Sequence, residues 1–457
     1  MDIKSLKAIS PLDGRYCDKV KPLTEYLSES ALIFYRLEIE IKYLIALSKI
    51  NIVRKLSLKE IKILTAIYTN KSDEKLLMIK GFEDSVKHDV KSIELFLREV
   101  LKDTTLTDII EKLHYCLTSE DINNMAYRMM LRDSINKCIL PQYKELILKL
   151  KAISVDNKNL VILARTHGQD AIPTTFGKEL MVFAVRLYKI YENISSFKLT
   201  GKLNGAIGAW NAHEYAESDT DWLNFSKKFI TAFGFESNQY STQINQYDDV
   251  VGILSLFHLF NGVMLNFNQD MWRYISDGWL AQKVNKNQVG SSTMAQKVNP
   301  INFENSEGNA IIANGLIEAL MRALPISRLQ RDLSNSTVIR NISTIMGHEL
   351  LIIKSTTAGV DTIQPNAIEI NKYLNSNWSI LAEPLQIILR KYNIDNAFNI
   401  VKDKMMGKKL SKKEWLKLIE KLDVTMKIKN EMKKLSPQKY IGYCSRIVEE
   451  GAKLINF

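Results

Sequence analysis

Cysteine is scarce in this chain of 457 residues: there are four, Cys17, Cys116, Cys138 and Cys444, far apart and with no CxxC pair. That pattern argues against a thiolate zinc site and a disulfide scaffold, and it fits a reducing compartment. Proline is sparse too, with nine in all, none between Pro22 and Pro141 and none between Pro173 and Pro300. Because a proline inside a helix costs about 3 kcal/mol, these two gaps permit very long helices. Strand-like alternation bounded by turn pairs is almost absent. No apolar h-region follows the charged N-terminus from Met1 to Asp18, so no secretory signal is visible and a cytoplasmic location is expected.

What is present is ordinary globular composition, 46% apolar and 25% charged, which excludes a disordered chain. Lysine and arginine number 62 against 51 acidic residues, a net charge of +11. The lysines are scattered and no aromatic-interleaved RNA motif accompanies them, so a solvated basic surface around an anionic-substrate site is favoured over nucleic-acid binding. Val250 to Gln269 carries no charged side chain and is long enough to cross a membrane. It contains His258, Asn261, Asn266, Asn268 and Gln269, with Asp248, Asp249 and Asp270 against its ends. The reading is therefore a buried bundle helix, not a membrane span.

Apolar residues recur at helical intervals in Leu32, Tyr35, Leu37, Ile39, Ile41, Leu44 and Leu47. Leu146, Leu150, Ile153 and Leu160 repeat the pattern, as do Leu180, Phe183, Leu187, Ile190 and Ile194. The class is all-α. Three blocks are expected: an N-terminal helical domain over 1–110, a central long-helix bundle over 111–364 with most polar clusters, and a C-terminal helical domain over 365–457. The chain has no internal repeat and no low-complexity tract.

Four polar islands interrupt the helical pattern. Thr118-Ser119-Glu120-Asp121 reads as a helix N-cap, which is also a place where amides and hydroxyls bind anions. Arg165-Thr166-His167-Gly168-Gln169 follows the apolar run from Leu160. A lone histidine beside an apolar helix is often a core residue, but its hydroxyl, amide and glycine neighbours suit proton transfer. Gly290-Ser291-Ser292-Thr293, leading to Met294, Lys297, Asn299 and Pro300, is a poor helix former and a poor core, so a loop is expected. Arg331, Ser336 and Arg340 are spaced so that two guanidinium forks and a hydroxyl can converge on a phosphate or carboxylate. A plain surface pair of Arg331 with Asp332 is the competing reading.

Together, G-S-S-x-M-x-x-K-x-N-P, R-T-H-G-Q and T-S-E-D-I-N resemble the fumarase/aspartase superfamily. The start S-P-x-D-G-R-Y, K-H-D-V at Lys87, and Q-R-D-L-S-N-S-T-V-I-R-N from Gln330 resemble its adenylosuccinate lyase family in the bacterial form. The likeness runs from Ser10 to Gly442. It implies a three-domain helical fold whose central long-helix bundle joins three other subunits, in a homotetramer with active sites shared between subunits. The implied substrate is a small-molecule nucleotide: β-elimination of fumarate from adenylosuccinate, giving AMP, and from the succinylated aminoimidazole carboxamide ribotide. No metal and no organic cofactor are implied, nor a membrane or nucleic-acid partner.

Carried across, Ser291 is the general base and His167 the general acid, with Thr166 beside it. Lys297 and Asn299 stabilise the developing dianion. Arg15, Tyr16, Arg331, Ser336 and Arg340 hold phosphate and ribose; Thr118, Ser119 and Gln243 grip the succinyl portion; His88 and Asp89 line the site. The chain departs from the family pattern at Ala295 and Gln296, where the loop ordinarily reads Pro then His. Lys87 replaces an asparagine and Tyr247 a histidine. Gln296 is similar to the argininosuccinate lyase version, so that enzyme is one alternative. A catalytically silent structural relative is the other.

Overall fold

A computed structural model describes residues 3–283, 294 and 296–457. The helices that matter for the site are, in chain order, α1 (Glu29–Lys49), α2 (Asp89–Leu101), α3 (Ser119–Ser134) and α4 (Leu140–Asp156). A hairpin follows, β1 (Val161–Thr166) against β2 (Gln169–Thr175), then α5 (Phe176–Ser196) and the long α6 (Asp248–Ser276). Beyond it lie β3 (Leu280–Gln282), α7 (Ile301–Ala323), the short α8 (Ser334–Ile339), α9 (Ile342–Thr362), β4 (Ile363–Pro365) and α10 (Ala367–Ser376). The class is all-α: among the described residues the sheets are three two-stranded pieces.

The chain divides into two compact units. The first comprises Met1–Gln142, Glu192–Asn261 and Asn309–Ile352; the second comprises Tyr143–Tyr191, Gly262–Gly308 and Ile353–Phe457.

In the first unit α1 starts at Ser28, whose Oγ accepts the Ala31 amide at 3.1 Å, with Glu29 in its first turn and Lys49 in its last. It buries Leu37, Ile39, Ile41 and Leu47 completely, each worth roughly 1.5–3 kcal/mol of transfer free energy. The α3 helix begins at Thr118, whose amide donates to Asp121 Oδ2 at 2.8 Å, so the expected N-cap is present. Asp121 Oδ1 also accepts the Asn204 amide at 3.0 Å and faces Lys202 Nζ at 3.1 Å, both side chains wholly buried. A second buried pair, Arg128 with Asp249 at 2.7 Å, joins α3 to the start of α6.

The apolar α6 is, among the described residues, the one helix long and apolar enough to cross a membrane. Its asparagines show what it is built for. In the first unit, Asn261 donates to Glu349 at 2.6 Å and to Asn314 at 3.0 Å. In the second, Asn268 donates to Ser306 at 2.9 Å and accepts from Thr356 at 3.1 Å. These are bundle contacts between helices, as the sequence reading held.

Two sequence expectations fail in the second unit. Leu160 is not on the face of Leu146, Leu150 and Ile153, because α4 stops at Asp156. The Arg165–Gln169 island sits on a hairpin and not beside a helix, with Thr166 paired to Gln169 and Arg165 to Asp170. The run Val161-Ile162-Leu163 is short and partly β-branched, where period alone does not separate strand from helix. Pro173 lies within β2 opposite Leu163; a two-stranded sheet is all edge and tolerates it.

Candidate functional site

In the first unit the start of α2, the start of α3 and the segment around α8 converge, with Arg36 of α1, on a cavity of about 340 Å³. Each is aimed by local chemistry. His88 is the N-cap of α2, its Nδ1 accepting the Lys91 amide at 3.1 Å, and its ring is part of the cavity lining. Lys87 before it is left-handed, with φ of 54°, and turns the chain from the preceding helix into α2. Ser119 and Glu120 reach the cavity because the Thr118–Asp121 cap fixes the first turn of α3. Arg331 and Arg340 flank α8 and Ser336 lies within it, and all three line the cavity.

The cationic groups are held by carboxylates of the same cavity. Arg331 Nη2 lies 3.2 Å from Glu120 Oε1 and 3.3 Å from Ser336 Oγ, while its Nη1 donates to Gln243 Oε1 at 3.4 Å. The competing Arg331–Asp332 surface pair does not form: Asp332 accepts instead from the Arg328 and Ser334 amides. Arg340 stands 3.7 Å from Asp89 and 3.6 Å from Glu29. From the middle of α1, Arg36 donates to Asp89 at 2.6 Å and to Asn123 at 2.9 Å. Burial opposes ionisation of Asp89, but the Arg36 charge and hydrogen bond outweigh it and hold the carboxyl below its usual range. Tyr247 closes the wall with a buried phenol whose ionisation is pushed far up by burial and by Glu120. Forked donors, hydroxyls and an imidazole in one concave site suit an anion bearing phosphate or carboxylate groups.

Of the residues expected from the sequence, His88, Asp89, Ser119, Arg331, Ser336 and Arg340 line this cavity. Gln243 touches it through Arg331, and Thr118 stands behind Ser119 at the cap. Arg15 is exposed and Tyr16 half-buried in the turn before Cys17, and neither is in its lining. Thr166 and His167 are exposed at the tip of the β1–β2 hairpin, in the second unit. Lys297 is exposed and Asn299 half-buried, also in the second unit. Ser291, like Ala295, lies outside the described residues. Sequence reasoning missed Arg36, Glu120, Asn123 and Tyr127 as lining groups. A lone arginine amid the apolar positions of α1 was the available signal for Arg36.

Residues 14–315 match a family model described as Lyase, and residues 327–441 match one described as Adenylosuccinate lyase C-terminal. The fold is shared with the 3-carboxy-cis,cis-muconate lactonizing enzyme of Pseudomonas putida, with a TM-score of 0.77, 16% identity, and 95% of this chain and 96% of that one covered. A fumarate lyase from Mesorhizobium sp. BNC1 is similar at a TM-score of 0.75 and 16% identity, covering 95% and 97%. Fold and family model thus define an all-α lyase of the fumarase/aspartase superfamily. Along 454 residues the chain is 39% identical to the adenylosuccinate lyase of Buchnera aphidicola subsp. Schizaphis graminum, covering 98% of this chain and 100% of that protein. With the adenylosuccinate lyases of Escherichia coli K12 and Haemophilus influenzae it shares 37%, over the same shares of each chain. The chain belongs to the adenylosuccinate lyase family.

Proposed function

We propose that the protein splits adenylosuccinate into AMP and fumarate, and cleaves the succinylated aminoimidazole carboxamide ribotide in the same way. One observation carries this reading: in a chain of this family, Arg331, Ser336 and Arg340 line one cavity with Ser119 and His88. Two guanidinium forks with a hydroxyl suit a nucleotide monophosphate, and argininosuccinate has no phosphate to occupy them.

The chemistry removes a proton from the carbon next to a carboxylate, passes through an aci-carboxylate dianion and breaks the C–N bond. A base, an acid and charge-stabilising donors are required. Ser291 is the base. Lys297 and Asn299 neutralise the dianion, and His167 protonates the departing nitrogen. Arg331, Ser336 and Arg340, with Arg15 and Tyr16, hold phosphate and ribose; Thr118, Ser119 and Gln243 hold the succinyl group. The phosphate-end residues belong to the first unit, whereas His167, Lys297 and Asn299 belong to the second. The large apolar side chains exposed on the long helices, Leu259 on α6 and Ile311 and Ile312 on α7, support a homotetramer, and with it sites shared between subunits. None of the four cysteines forms a disulfide, in keeping with a cytoplasmic enzyme.

The test is the ultraviolet absorbance change of adenylosuccinate with purified protein, beside Ser291→Ala. Turnover in the parent and near-total loss in the variant are expected. Turnover surviving in the variant would remove Ser291 as base. A parent that consumes argininosuccinate alone would overturn the substrate assignment, and one inert to both would be the silent relative.

A further inference from the structure

His167 stands at the tip of the β1–β2 hairpin, and the contacts that aim this tip lie within the second unit. The two turn residues, His167 and Gly168, have φ of 52° and 73°, the left-handed pair of a tight two-residue turn. Such a turn fixes the direction of its side chains only as well as the strands beneath it are held.

One pair below Thr166 and Gln169, Arg165 and Asp170 face each other across the hairpin. Each is gripped from outside. The Arg165 guanidinium is ion-paired with Asp277 and lies 4.6 Å from the centre of the Trp279 ring and 5.6 Å from that of Tyr373. Asp170 accepts from the Tyr373 hydroxyl at 2.8 Å and from Asn377 Nδ2 at 3.3 Å. The two aromatic rings brace each other, 5.3 Å apart and inclined at 64°. They are brought together by the β3–β4 pairing and by the Asn366 amide, which donates to the Trp279 carbonyl at 2.8 Å. Tyr373 thus touches both strands of the hairpin, one through its ring and the other through its hydroxyl.

The geometry points to Arg165, Asp170 and Tyr373 as positioning residues for His167, holding the hairpin tip in the orientation from which the imidazole delivers its proton. This rests on the reading of His167 as the general acid. A misaimed acid weakens the chemical step more than substrate binding, because proton delivery depends on angle and distance at the reacting atom.

The experiment measures kcat, KM and thermal midpoint for Tyr373→Phe, Asp170→Ala, their double variant, Asp170→Asn and His167→Gln. Tyr373→Phe keeps the ring beside Arg165 and removes only the hydroxyl; Asp170→Asn keeps an acceptor for it. Tyr373→Phe and Asp170→Ala are each expected to lower kcat for adenylosuccinate about tenfold with KM within about twofold. The double variant should fall no further than the worse single one, and Asp170→Asn should recover most of the loss. Parental kcat in both single variants, losses that multiply, or KM rising in step with the fall in kcat overturns the inference. His167→Gln separates the two readings. If it turns over at the parental rate, the general-acid assignment falls. If it is inactive while the cradle variants match the parent, only the positioning role falls.

Discussion

Glu349 is fully buried on α9, with Asn261 donating to one carboxyl oxygen; the other, and Asn261 Oδ1, have no partner among the described residues. Burial raises its pKa to about 8, only partly countered by the Asn261 hydrogen bond. The folded value thus lies above the unfolded one, so the group's contribution is complete below about pH 4.5 and is lost as pH rises through about 8. The parent is expected to lose thermal midpoint between about pH 5 and pH 9 more steeply than Glu349→Gln, as scanning calorimetry of both will show. At the cavity, Arg331→Lys replaces a fork that reaches Glu120, Ser336 and Gln243 with a single ammonium. KM for adenylosuccinate should rise about tenfold or more, the equivalent of about 1.4 kcal/mol, in steady-state assays. For Arg331, Ser336 and Arg340 the spacing left a plain Arg331–Asp332 surface pair open, and it was the resemblance of Q-R-D-L-S-N-S-T-V-I-R-N that named all three, which line the cavity. Arg36 was not legible, because nothing in the α1 pattern says that Asp89, fifty-three positions away, will meet it.

At the scale of elements, the start of α3 depends on Asp121. It accepts the Thr118 and Asn204 amides and balances the wholly buried Lys202 ammonium. Asp121→Ala strands that charge, and a loss of about 3–5 kcal/mol is expected in chemical denaturation. The β1–β2 turn makes a smaller and more local demand. A Cβ at Gly168 would meet nothing within 4 Å, so Gly168→Ala meets no clash but must hold φ near 73°. The expected cost is about 1 kcal/mol in denaturation, with a larger proportional fall in kcat if the tip turns. The cap was readable in advance, since Thr-x-x-Asp at a helix start names its own hydrogen bond. The hairpin was not, because its apolar run fits either period and its decisive partners, Asp277 and Tyr373, lie more than a hundred residues away.

For the whole molecule, long proline-free stretches and helical spacing made the all-α class legible, and α6 with its neighbours followed. Which helix meets which was not legible, because pairs such as Asn268 with Ser306 and Arg128 with Asp249 are fixed only when the bundle closes. The net charge of +11 favours the approach of an anionic substrate. Raising ionic strength from about 0.02 to about 0.2 M should therefore raise KM with little change in kcat, because screening acts on encounter. The cavity itself arrives with its anions built in, Glu120 on Arg331 and Asp89 on Arg36 and Arg340. On the proposed reading, a nucleotide phosphate binding there exchanges counter-ions with Glu120 and Asp89, and a ligand presenting several oxygens at once competes with those acids better than a chloride or a lone carboxylate does.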